Sequence, residues 1–172
     1  MSAIESVRLE PWGPGDLHIL ERTLGDAAMT TFIGGPETAE KLAERQGRFE
    51  RLEESGTGHM FKIVDVATGE AMGSVGYWDR VEPDGEVYEA GWFVMTEFQG
   101  RGVASAAAEL AIAHARAERK HRYLHAYPSV ENAASNALCR KLGFRLVREQ
   151  EFEYPPGTFM RCNDWRLDLH EV

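Results

Sequence analysis

Residues 89–120 read EAGWFVMTEFQGRGVASAAAELAIAHARAERK. Ala90 to Met95 are almost all apolar or aromatic, as in a strand covered on both faces. From Val103 the period turns helical, with Val103, Ala107, Leu110, His114 and Ala117 on one side and Ser105, Glu109 and Arg116 on the other. Between them lies Gln99-Gly100-Arg101-Gly102-Val103-Ala104. Two glycines remove side chains where a helix begins, so its unpaired N–H groups can approach an anion closely. With the positive end of the helix dipole and the charge of Arg101, the loop reads as a phosphate site. The alternative is a loop whose glycines serve only the turn. It is neither G-x-G-x-x-G nor a P-loop, because no G-K-[ST] follows.

Working outward, the 172 residues are expected to form one domain, 1–172, long enough for a full core. Apolar residues at 43% and charged residues at 27% fit a soluble globular protein. No run of 18 apolar residues occurs, so no membrane span is expected, and MSAIESVRLEPW lacks the pattern of a secretory signal. Cys139 and Cys162 are too few for a disulfide framework and lack metal-ligand spacing, which fits a reducing, cytoplasmic setting. A formal charge of −9 argues against non-specific nucleic-acid binding and is compatible with cationic partners such as amines.

Elsewhere, Ser6 to Trp12 alternates as a first strand, and Asp16 is an expected N-cap for a short helix bearing Leu17, Leu20 and Leu24. A charged helix is expected over 37–54, with Leu42, Phe49 and Leu52 on one stripe. Residues 59–66 and 71–78 read as an antiparallel pair turning at Ala67 to Glu70. A longer turn around Pro83-Asp84-Gly85 then leads to the central strand. Arg122 to Tyr127 is a short strand ended by Pro128, and a helix follows over 132–142. The strands Phe144 to Tyr154 and Met160 to Leu169 close the order β-α-α-β-β-β-α-β-α-β-β. The six histidines are scattered and none suggests a metal site; His114 is expected to be buried and hydrogen-bonded. The four tryptophans are read as core.

Gln99 to Ala104, after a strand and before a helix, resembles the pyrophosphate-binding motif of the GNAT superfamily of N-acetyltransferases, Q/R-x-x-G-x-G/A. Residues 132–144, NAASNALCRKLGF, resemble the family's N-x-x-S-x-x-x-x-x-x-x-G-F helix. Val7-Arg8-Leu9, Asp16-Leu17 and Glu89-Ala90-Gly91-Trp92 look like the ribosomal-protein-alanine acetyltransferase-like branch. The resemblance covers nearly the whole chain. It implies an α/β (α+β) fold with a mixed, mostly antiparallel central sheet flanked by helices.

It further implies an acetyl-CoA-dependent N-acetyltransferase acting on a primary amine, a protein N-terminus or a small molecule, with no metal. By resemblance, Gln99, Gly100, Arg101, Gly102, Val103 and Ala104 hold the pyrophosphate, and Phe93, Val94 and Met95 line the pantetheine arm. An N–H of that segment stabilises the oxyanion. Asn132 bonds the arm with Ser135 beside it, although Asn132 also suits a plain N-cap. Gly143 and Phe144 suit a helix C-terminus. Glu89 matches the branch's acidic position and is the candidate base, with Glu86 and Glu97 as alternatives. Where many members carry a tyrosine acid this chain has Cys139, with Ser135, Tyr127 or solvent as substitutes. Tyr154, Phe159, Arg161 and Asp164 are candidate acceptor contacts. Two other readings stay open: an acyl-CoA-binding module without turnover, and transfer of a longer acyl group. The acceptor and the oligomeric state, a homodimer included, are not fixed by sequence.

Overall fold

A computed structural model describes residues 6–153 and 156–171. A seven-stranded sheet forms the frame. Its strands are β1 Val7–Pro11, β2 Gly58–Asp65, β3 Ala71–Glu82, β4 Gly85–Val94, β5 Tyr123–Ala126, β6 Arg145–Glu153 and β7 Phe159–Asp168, in the order β1-β2-β3-β4-β5-β7-β6. Every neighbouring pair is antiparallel except β4 and β5. The helices are α1 Leu17–Glu21, α2 Ala39–Leu52, α3 Val103–Glu118 and α4 Ala133–Lys141, with two short 3₁₀ turns at Ala28–Thr30 and Thr96–Phe98. The expected element order and the mixed, mostly antiparallel sheet are both present.

Helix α3 packs on β1, β3 and β4, while α1 and α2 pack on each other and on β3 and β2. Its buried face is Val103, Ala106, Ala107, Ala111, Ile112 and Ala115. These small residues let the helix lie close to the sheet, and dispersion grows with close approach. That face differs from the expected one. Ser105 is buried, whereas His114 and Ala117 are exposed, because the alanine-rich helix has too little hydropathy contrast to fix its rotation.

Three other expectations change. β3 and β4 pair from Glu82↔Gly85 onward, so Pro83-Asp84 is a two-residue turn and Glu89 stands mid-strand rather than at a strand start. Asp16 occupies the N-cap position of α1 without capping it. Its buried carboxylate accepts from the Gly13 N–H at 2.7 Å and pairs with Lys62 at 3.1 Å, tying the β1–α1 loop to β2. Thr38, in contrast, does cap α2, accepting from Lys41 N–H.

Helix α4 ends as expected. Gly143 takes φ +89°, Phe144 N–H donates to Cys139 C=O at 3.0 Å, and Phe144 is buried. A Cβ at Gly143 would meet only Leu167 Cδ1, at 3.9 Å. The cost of Gly143→Ala is therefore that of the backbone alone, about 1 kcal/mol. Thermal unfolding should show Tm lower by about 2–4 °C; an unchanged Tm would contradict the left-handed cap.

Candidate active site

Strands β4 and β5 pair only at Tyr88↔Leu124 and Glu89↔His125. Beyond those residues they diverge, since Pro128 has no N–H to continue the ladder and β4 turns away through Thr96–Phe98 toward α3. The wedge opens into a cavity of about 580 Å³. Glu89, Ala90, Gly91, Trp92 and Phe93 line one side, and Ala126 to Ser129, Asn132 and Ser135 line the other. Leu20, Leu24, Phe32, Ile33, Phe49, Leu52, Met60 and Trp78 form an apolar wall from α1, the segment between α1 and α2, α2 and the sheet. The cavity thus has an apolar body with few convergent polar groups, the usual character of a small-molecule site.

Glu89 is the carboxylate at the wedge. Its side chain is 17% exposed, Trp78 Nε1–H donates to its Oε2 at 2.7 Å, and Arg80 Nη1 lies 3.7 Å away. Burial raises its pKa above the ordinary carboxylate value, partly offset by Arg80 and the Trp78 hydrogen bond. A carboxylate whose pKa is raised toward that of the amine is a better-matched general base than a free one. Neither alternative acid shares that position. Glu86 is exposed near the start of β4, and the exposed Glu97 pairs with Arg22.

Beside Glu89, the Arg80 guanidinium stacks on Tyr127 at 4.4 Å and on Phe152 at 4.9 Å. Its Nε–H donates to Glu82 at 2.8 Å, and the Tyr127 hydroxyl donates to the same carboxylate. Burial and that bond push the Tyr127 phenol well above its ordinary pKa. His125 Nδ1 meets Asp164 at 2.6 Å, both buried, and the His125 ring stacks on Tyr127. Residue types alone did not single out Trp78, Arg80, Glu82 or His125. Their signal was strand register: Trp78 stands opposite Glu89, and Arg80 and Glu82 follow on the same face.

The loop expected to hold the pyrophosphate leads into α3 where the sequence places the helix start. Gly100 and Gly102 adopt φ +75° and +76°, and Gly102 occupies the N-cap position of α3 with no side-chain cap. The Ala106 N–H bonds the Gly102 carbonyl, so the N–H groups of Val103, Ala104 and Ser105 precede the first intrahelical bond. Gln99 Nε2–H donates to the Val94 carbonyl at 2.9 Å, tying the loop to the end of β4. The Arg101 guanidinium sits 5.6 Å over the Phe98 ring. None of Gln99 to Ala104 lines the cavity itself.

Phe93 lines the cavity, while the side chains of Val94 and Met95 are buried in the core. Met95 N–H is spent on Met72 C=O of β3 at 2.9 Å. By antiparallel alternation the N–H groups of Trp92 and Val94 then face away from β3, toward the wedge. Asn132 caps α4, its Oδ1 accepting Ser135 N–H at 3.1 Å, and both residues line the cavity. Trp92 Nε1–H donates to Ser135 Oγ at 3.4 Å. Trp12 and Trp165 are core as expected, but Trp78 and Trp92 are half-buried cavity walls.

Cys139 departs from its expected place. It is fully buried, absent from the cavity lining, and burial pushes its thiol up to about 12. Among the acceptor candidates, Tyr154 lies outside the described residues. Phe159 is exposed, Arg161 pairs with Glu149 at 2.9 Å, and Asp164 is buried on His125. Phe152, Glu153 and Met160 of the same hairpin line the cavity instead.

Residues 6–145 match the family model described as the acetyltransferase (GNAT) domain. The chain belongs to this family. Membership makes it an acetyltransferase with acetyl-CoA as co-substrate. No curated protein matches by sequence. Among solved structures, RimL, a ribosomal L7/L12 alpha-N-protein acetyltransferase, superposes with TM-score 0.79 at 21% identity, covering 95% of this chain and 90% of that one. A GNAT-family acetyltransferase from Bacillus anthracis gives 0.80 at 17% identity, covering 96% of each chain. A Vibrio cholerae spermidine N-acetyltransferase, solved with CoA and spermine, gives 0.79 at 15%, also covering 96% of each.

Gly102→Glu would set a carboxylate at the N-terminus of α3, where the sequence reading expects a diphosphate, in a left-handed backbone position. Calorimetry should show acetyl-CoA affinity reduced by more than about tenfold, with Gly102→Ala close to wild type apart from backbone strain. Equal affinity in Gly102→Glu would remove the loop from the phosphate site.

Proposed function

We propose that the chain transfers acetyl from acetyl-CoA to the α-amino group of a polypeptide, with Glu89 as general base. The observation that carries the reading is the placement of Glu89, raised in pKa, at the wedge where β4 and β5 part. In this reading the N–H groups at the start of α3 hold the pyrophosphate, with Arg101 adding charge. The arm runs along Phe93 and Val94 toward Asn132 and Ser135. Val94 N–H, facing the wedge, donates to the thioester oxygen as charge develops there.

The amine must lose its proton to attack. An α-amine has a pKa of about 7.7–8.0, against about 10.4 for a lysine-type amine, so a carboxylate base handles it with less deficit. Glu89 takes that proton first, the neutral nitrogen then bonds to the acetyl carbon, and the C–S bond breaks as the nitrogen gives up its second surplus proton to water. A thiolate with a pKa of about 8.5 leaves and is protonated from water or by way of Ser135. Cys139, buried and off the cavity, takes no part, and the Tyr127 proton is committed to Glu82.

The walls favour an acceptor whose amine sits on an apolar or uncharged body. Leu20, Leu24, Phe32, Ile33, Phe49, Leu52 and Met60 present an apolar wall, and Arg45 and Arg48 in the same lining offset the carboxylates of Asp79 and Glu153 toward a polycation. The fold it shares with RimL, which bears the name of an alpha-N-protein acetyltransferase, supports the peptide reading. Among the described residues no helix is long and apolar enough to cross a membrane, and both cysteines are free and buried; the reading sets the enzyme in the cytoplasm.

Glu89→Gln should lower kcat/KM by about 10²-fold or more at neutral pH and flatten the acid limb of the pH–rate profile. Trp78→Phe removes a hydrogen bond that lowers the pKa of Glu89, so the acid limb should move to higher pH. Unchanged profiles in both variants would take Glu89 out of the mechanism.

A further inference from the structure

His59, His114 and Glu118 stand apart from the cavity. His59 lies on β2 in register with Tyr77 of β3, and His114 and Glu118 stand one turn apart on α3. Residues four apart on a helix share a face. Each of the three offers one ligand atom, and these atoms lie within 4.8 Å of one another. His59 Nε2 and Glu118 Oε1 are already 3.4 Å apart, and the two imidazole centroids are 4.7 Å apart. A tetrahedral ion with bonds of about 2.0–2.2 Å holds its ligand atoms roughly 3.3 Å apart. A swing of the exposed His114 ring closes the remaining gap.

The buried Tyr77 hydroxyl donates to Glu118 Oε2 at 2.7 Å, so at His114 Nδ1, 2.5 Å away, it acts as acceptor. That bond places the His114 proton on Nδ1 and leaves the Nε2 lone pair for a cation. Glu53 lies 3.9 Å from His59 Nδ1, the nitrogen opposite the one facing Glu118. An imidazole oriented by an oxygen partner on its second nitrogen, as His114 is by Tyr77, is the usual arrangement around a bound metal. The cluster also sits in the last two turns of α3, where the helix dipole favours a cation.

We propose that His59, His114 and Glu118 bind a divalent transition-metal ion of the Zn²⁺ type, joining the C-terminal half of α3 to β2. Two imidazoles and one carboxylate suit Zn²⁺ over Mg²⁺ or Ca²⁺, with water completing the tetrahedron. The ion would be structural. Along β2, Met60 faces the cavity and the adjacent His59 faces the opposite side of the sheet, so acetyl transfer does not pass through it.

The test is a calorimetric titration of the chelator-treated full chain with Zn²⁺, paired with thermal unfolding and the visible spectrum of the Co²⁺ form. The wild-type chain should bind one equivalent, gain Tm, and show the absorption of four-coordinate Co²⁺. His114→Ala, which puts a strong helix former at an exposed position, should weaken Zn²⁺ binding by more than about tenfold and abolish the Tm gain. His59→Gln should do the same, with acetyl-CoA affinity unchanged in both variants. No saturable Zn²⁺ binding by the wild-type chain, or full affinity retained in both variants, would overturn the site.

Discussion

The structure depends on a pairing that stops. Two residue pairs join β4 to β5, Tyr88↔Leu124 and Glu89↔His125, and then the only parallel pair of strands in the described sheet separates. Full pairing would bury the polar edges of both strands and close the sheet. Because it ends at Glu89, β4 keeps N–H and C=O groups facing an open wedge, and those groups need a partner. Gln99 satisfies one of them at the Val94 carbonyl. In the proposed mechanism an extended pantetheine arm and its thioester take up others, in the manner of an added strand. The cavity, and the place of Glu89 at its edge, follow from where the ladder breaks.

Electrostatics then divides the wedge. In the proposed reading, glycines in the left-handed region beyond one end of the wedge offer unpaired N–H groups and a dipole to an anion. At the other, Glu89 is walled by Trp78, Trp92 and Phe93 and faced by Arg80. Burial raises its pKa, and Arg80 and the Trp78 hydrogen bond restrain the rise. The second carboxylate nearby, Glu82, is held by Arg80 and Tyr127, and its charge adds to the upward push on Glu89.

Much of this was legible in the sequence. Gln99 to Ala104 carried both its turn chemistry and its helix start, and Gly143-Phe144 carried its cap, because each is written in adjacent residues. The register of β3 on β4 was readable too, had Pro83-Asp84 been taken as a two-residue turn. That turn alone sets Trp78 opposite Glu89 and Arg80 two residues along. What stayed hidden depends on helix rotation and on long-range pairing. An alanine-rich α3 gave no contrast to tell His114 outward from His114 inward. His125 reaches Asp164, and His59 reaches His114, only once the sheet order is known. Cys139 stood at a motif position, and only packing shows that its thiol faces the core.

The central claim is that the acetyl thioester sits at the point where β4 and β5 part. A crystal structure of the acetyl-CoA complex tests it most directly. The account predicts the pyrophosphate on the N–H groups of Val103 to Ser105, the thioester oxygen within hydrogen-bond reach of Val94 N–H, and Glu89 on the acceptor side of the acetyl carbon. A thioester bound outside the wedge, or one with Glu89 turned away from the acetyl group, would contradict it.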